Sequence, residues 1–262
     1  MRFQLILGAL CVAISSSALA DNHASGEPEW SMGSPVEIYG CKFKDGINGY
    51  AQSQKFAASW NAWADDHDAF GAHVAQLMWA EFSDGSYPTD FTWLGYWPSY
   101  QESGKDMQTR ATNGAPMYAE ANKFIEQCAH SEWGAWDLFP AGEWTNVDHV
   151  TEFSDCFYKE GKGDSDLLVA NIAFAKEMTS RGLTGADLGA VQLWPRAGAP
   201  SGLDNAISFK WVTGYPDLQA YANFTQAWWN EGLILAWNEL YGDIVSCDAS
   251  RVYHSEVIRT PQ

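Results

Sequence analysis

The sequence predicts an α+β fold in which one βαββαβ unit is written twice in tandem. Three observations lead there. Residues recur at a common register: counting from Cys41 and Cys156, a glycine follows five positions on (Gly46, Gly161) and a tryptophan 38 positions on (Trp79, Trp194). After a three-residue insertion, Trp93 and Pro98 are matched by Trp211 and Pro216, five apart in each case. Cysteine spacing repeats as well, with Cys41 to Cys128 separated by 87 positions and Cys156 to Cys247 by 91. Finally, the hydrophobic period changes in the same order in both halves.

In the first half, 36–43 alternates as a strand that Gly46 ends. Over 51–65, Phe56, Trp60 and Trp63 fall on one helical face. Strands are predicted over 69–82 and 90–97, separated by the turn cluster Ser-Asp-Gly-Ser-Tyr-Pro. Helical periodicity resumes over 104–127, where Gly114 and Pro116 are expected to break it. An extended segment over 131–138 completes the unit. The second half repeats this as a strand over 151–158, a helix over 164–181, strands over 187–196 and 206–213, a helix over 217–246 and a strand over 249–258. This order is that of the split βαβ, or ferredoxin-like, unit.

The predicted organisation is a removable signal at 1–20, a polar flexible segment at 21–34, a first unit at 35–138, a linker at 139–149 and a second unit at 150–262. The signal reading rests on Arg2, an apolar run of about ten residues and a small-residue cleavage pattern at Ala18 and Ala20. The run is too short to span a bilayer, and no later one approaches the necessary length. Its removal takes Arg2 and Cys11. Of the 15 basic side chains 14 then face 33 acids, a net charge of −19. Such a chain repels phosphate backbones, which argues against a nucleic-acid partner. With 46% hydrophobic residues it is not a disordered acidic tail. Four cysteines remain, an even number suited to an oxidising compartment, and the paired spans favour the bridges Cys41–Cys128 and Cys156–Cys247. Zinc fails on spacing, because no two cysteines lie two to four residues apart.

Candidate site residues lie on the middle strands. His73 sits in an otherwise apolar strand, on the face of Ala75, Leu77 and Trp79. It is the candidate acid/base, with a structural histidine as the competing reading. Trp79, Trp93, Tyr96, Trp194 and Trp211 are candidate walls for a flat or apolar ligand. Arg196 and Lys210 are candidates for steering an anionic group, or for pairing with carboxylates. Residues 65–68, Asp-Asp-His-Asp, read as a solvated turn. No metal-binding or nucleotide motif is present, no cofactor is called for, and nothing specifies an oligomeric partner.

Two ferredoxin-like units with strand tryptophans and Trp-x4-Pro leaving the third strand resemble the dimeric α/β-barrel superfamily in its fused form. The resemblance implies an intramolecular α/β barrel, two sheets facing each other with helices outside, and a pocket between the sheets. Members include cofactor-free monooxygenases, haem enzymes, isomerases and proteins with no demonstrated reaction. The expectation is therefore an exported protein that binds a small aromatic or apolar molecule between two sheets, either as a cofactor-independent monooxygenase- or isomerase-like enzyme or without catalysis. An interaction module using surface tryptophans is the alternative.

Overall fold

A computed structural model describes residues 32–83, 89–199 and 207–262. The expected signal, the segment 21–31 and positions 84–88 of the first turn cluster lie outside the described residues. The first half runs β1 (Met32–Phe43), α1 (Gly49–Asp66), β2 (Val74–Phe82), β3 (Phe91–Tyr96), α2 (Tyr100–Asn113), α3 (Ala115–Ala121) and β4 (Ile125–Phe139). A short 3-10 turn at Glu143–Asn146 leads into β5 (His149–Tyr158), α4 (Asp164–Ser180), β6 (Gly189–Ala197), β7 (Phe209–Tyr215), α5 (Leu218–Asn230), α6 (Leu233–Tyr241), β8 (Val245–Cys247) and β9 (Arg251–Arg259).

The strands form a closed antiparallel barrel. Neighbours run β7-β6-β4-β1-β3-β2-β9-β5, and pairing of β5 with β7 closes the ring, with β8 as a short addition alongside β5. Closure leaves the eight ring strands without an open edge. Cys41 lies directly opposite Cys128 on β4, and Cys156 opposite Cys247 on β8. Both expected disulfides form, with Cα atoms 4.1 and 4.0 Å apart.

Period-two alternation divides the side chains into an inner and an outer set. The inner set, including Val36, Met78, Trp133, Phe153, Leu193 and Tyr253, packs the barrel. Lys210 and Arg251 also point inward and share the Asp155 carboxylate, with Arg251 donating to Asp248 at 2.6 Å. A cavity of only about 40 Å³ is found there. The chamber expected between the sheets is therefore filled, because Trp133, Tyr253 and the ion cluster take up its volume. The outer set meets the helices in two separate aromatic layers. In the first half α1 lays Trp60 and Trp63 on Leu77 and Trp93; in the second α4 lays Leu167 and Phe174 on the sheet.

Local chemistry explains where elements depart from expectation. β2 starts at Val74 rather than at 69 because Asp68 and Phe70 take positive φ (47° and 60°). That corner is held by Arg259, which donates to Phe70 O (2.7 Å) and Ala69 O (3.2 Å), and by the Asp106 carboxylate, which accepts from Phe70 N (2.8 Å). Gly114 and Pro116 divide the helix predicted over 104–127, and its last residues belong to β4 instead. The helix predicted over 217–246 is interrupted at Gly232, whose φ of 81° is costly for residues with a Cβ, and it gives way to β8. β1 begins at Met32, within the segment expected to be flexible. Among the described residues no helix is long and apolar enough to cross a membrane.

Candidate functional site

The residues singled out from sequence do not converge on one chamber. Trp79 and Trp93 lie in the first outer layer, and Trp194 and Trp211 in the second. Tyr96 points into the barrel and donates to Ser34 Oγ at 3.2 Å. Lys210 is also inside, paired with Asp155 and 4.9 Å from the centre of the Trp133 ring. Burial lowers the Lys210 pKa, against the pull of Asp155. Arg196 is exposed over the ring of Tyr100 (4.4 Å) and lies 3.7 Å from Glu132. Both cations thus lie beside carboxylates, Lys210 at Asp155 and Arg196 near Glu132.

A cavity of about 280 Å³ opens under the helices of the first half. Its walls include Tyr39 and Trp93 from the sheet, Trp60 from α1, and Met117 and Tyr118 from α3. Glu37 on β1 forms its polar floor and is only 2% exposed. Arg110 on α2 reaches both Glu37 oxygens through Nη1, at 3.1 and 2.9 Å. His130 on β4 donates from Nε2 to Glu37 Oε2 at 3.1 Å and stacks on Tyr39 with ring centres 3.8 Å apart. Burial alone would raise the Glu37 pKa, but the His130 hydrogen bond and the Arg110 charge outweigh it and hold the carboxyl below its ordinary value. The floor is therefore an ionised carboxylate clamped by a guanidinium and an imidazole, beneath aromatic walls.

The clamp carries a stability prediction. Arg110→Met strands Glu37 in a buried position with only His130, and such a loss costs about 3 kcal/mol or more. Urea denaturation should show that loss, and adding Glu37→Gln should recover part of it.

His73 stands behind this floor rather than in it. It is fully buried, packed against Trp97 (ring centres 4.2 Å apart), Phe70 (5.2 Å) and Trp60 (5.8 Å), and neither ring nitrogen has a hydrogen-bond partner. Gly95 makes room for it: a Cβ there would meet His73 Nε2 at 2.4 Å and Glu37 Cγ at 3.0 Å. Burial pushes the His73 pKa down to about 3, with Glu37 pulling the other way. Glu37, Tyr39, Arg110, His130 and the α3 side chains were not among the sequence candidates.

A second cavity, of about 420 Å³, lies under α5 and α6 of the other half, bounded by Phe174, Trp211, Tyr221, Phe224, Trp228 and Trp237, with Glu152 on its sheet side. Haem held by a histidine does not fit either cavity, since no histidine lines them among the described residues, and their cysteines are in disulfides. No cluster of three metal-ligating side chains occurs among the described residues.

With this geometry established, solved structures give a direct comparison. A protein of Lactobacillus acidophilus, provisionally named a monooxygenase, superposes with a TM-score of 0.54 over 87% of this chain and 97% of its own, at 12% identity. A protein of Fusobacterium nucleatum with the same provisional name gives 0.51 over 87% and 94%, also at 12% identity. The barrel fold is shared. At this identity the likeness establishes architecture and no activity. No protein-family model and no curated protein sequence matches the chain.

Proposed function

We propose that this is an exported protein built from two tandem ferredoxin-like units, and that it binds a small, flat aromatic or apolar molecule with one polar end in the cavity of the first half. The observation that carries the reading is the ionised Glu37–Arg110 pair at the floor of a cavity walled by Tyr39, Trp60 and Trp93. Aromatic walls supply apolar contact area, and a fixed charged pair at one end orients a hydroxyl or a carbonyl. Each half presents its strands in the same order, β4-β1-β3-β2 and β9-β5-β7-β6, which supports the tandem reading. The two disulfides and the signal-like N-terminus support export. A surface built on tryptophan is not favoured, because among the described residues Trp229 is the one exposed tryptophan.

Native mass spectrometry against a panel of aromatic and apolar metabolites tests the reading. A binder should lose affinity about tenfold or more in Trp93→Leu, through lost ring contact, and lose its polar selectivity in Glu37→Gln. Binding that is indifferent to both changes would refute the assignment. A catalytic reading, cofactor-independent proton transfer of the monooxygenase or isomerase kind, draws on the unpartnered imidazole of His73 beside Glu37. Against it stands the low basicity of that ring. Loss of turnover with retained affinity in His73→Ala supports catalysis; unchanged turnover removes His73 from it.

A further inference from the structure

The cavity of the second half has a different chemistry from that of the first. Its rings come from four elements: Phe174 from α4, Trp211 from β7, Tyr221, Phe224 and Trp228 from α5, and Trp237 from α6. Phe224 and Trp228 have ring centres 5.8 Å apart with planes inclined at 32°, and Trp228 and Trp237 lie 6.1 Å apart at 57°, so successive rings tilt relative to one another along one wall of the cavity. Two carboxylates line it. Asp248 is compensated by Arg251 at 2.6 Å. Glu152 accepts a hydrogen bond from Tyr215 Oη at 2.7 Å, and among the described residues no cation pairs with it. Among the described residues no lysine, arginine or histidine lines the cavity.

We propose that this cavity is a binding site for an alkylated ammonium cation, such as a quaternary amine. Ring faces carry negative electrostatic potential and attract cations whose charge is spread over methyl groups. A single uncompensated carboxylate on the sheet side adds Coulomb attraction without demanding a hydrogen-bonding head group. A neutral aromatic ligand would gain from the rings but would leave Glu152 buried further without a counter-charge, and an anion would be repelled. The volume, about 420 Å³, falls within the range of small-molecule sites, so a tail on the ammonium group can be accommodated. The exposed Trp229, at 64%, also borders the cavity and places it within reach of solvent. This site is independent of the Glu37 cavity and stands whether or not that one is occupied.

The test is calorimetry and tryptophan fluorescence on the disulfide-intact protein with three probes: choline, tetramethylammonium and dimethylbutanol, the neutral carbon isostere of choline. Saturable binding of both cations is expected, with the isostere about tenfold weaker. Glu152→Gln, which keeps the shape and the acceptor for Tyr215, should weaken choline about tenfold and reduce the salt dependence of binding. Trp228→Ala should remove most of the fluorescence response. No saturable binding of either cation overturns the proposal. So does equal affinity for the neutral isostere, or a Glu152→Gln protein of unchanged circular dichroism that binds choline as well as the parent.

Discussion

Lowering the pH from about 6.5 to about 3 is expected to cost this fold as much as ~5 kcal/mol through the single side chain of His73. In the unfolded chain this imidazole takes up a proton near its ordinary value of 6.5; in the folded chain burial delays uptake until about 3. Between those values the unfolded state holds one more proton, so stability is fully present above the higher pKa and declines as pH falls. Glu37 adds a loss in the same direction only at lower pH, because its folded pKa lies below its ordinary value of 4.5. Between about 6.5 and 4.5 Glu37 is silent, and His73 acts beside His149, whose pKa burial also lowers. His73→Leu should reduce the slope of the stability profile there, leaving the share of His149, and the leucine has a precedent in the corresponding position of the second half, Leu188, which is 1% exposed. Urea midpoints measured across this window would decide it: a slope that the substitution leaves unchanged assigns the effect elsewhere.

His73 also shows what a sequence of this kind reveals and what it conceals. Alternation placed it on the face of Ala75, Leu77 and Trp79, and these three pack together in the first outer layer as that pattern demands. Alternation cannot say which face looks into the barrel, because a closed barrel under helices buries both. The choice is made by volume: Trp133, Phe153 and Tyr253 fill the interior, and the usable space lies beneath the helices. One clue was present. Glu37 and Tyr39 share a strand face with Cys41, a residue type that is most often buried. A second clue lay on α2 and α3, where Met107, Arg110 and Met117 follow helical spacing, so a lone arginine interrupts an apolar stripe. Neither clue identifies a partner, because the Glu37–Arg110 contact joins residues 73 positions apart and depends on how α2 crosses the sheet. Strand order, disulfide pairing and the break at Gly114 are local or repeated signals, and those were legible. The splitting of the last helix at Gly232 was written in its glycine yet masked by apolar residues on both sides.

Replacing either disulfide by a pair of alanines should lower stability by about 4 kcal/mol, since both bridges close loops of similar length, with separations of 87 and 91. For a chain of this size that corresponds to a fall in Tm of roughly 10 °C. Reduction of both would then remove most of the ~5–15 kcal/mol typical of a folded protein, and the reduced protein should unfold well below the oxidised one. The two bridges differ in what surrounds them. Cys41–Cys128 lies within a long ladder between β1 and β4, which extends from Met32 to Phe43 and keeps the strands zipped when the bridge is absent. Cys156–Cys247 joins β5 to β8 through a ladder of only three residue pairs. Loss of the second bridge should therefore free Val245–Cys247 locally before the barrel opens, whereas loss of the first should leave its ladder closed until global unfolding. Hydrogen exchange on the two alanine-pair variants distinguishes these outcomes. Fast exchange confined to the β8 region in the Cys156/Cys247 variant, with β4 protected in the other, is the expected pattern. Fast exchange along β4 in the Cys41/Cys128 variant would mean that the covalent link, rather than the ladder, holds the first half shut.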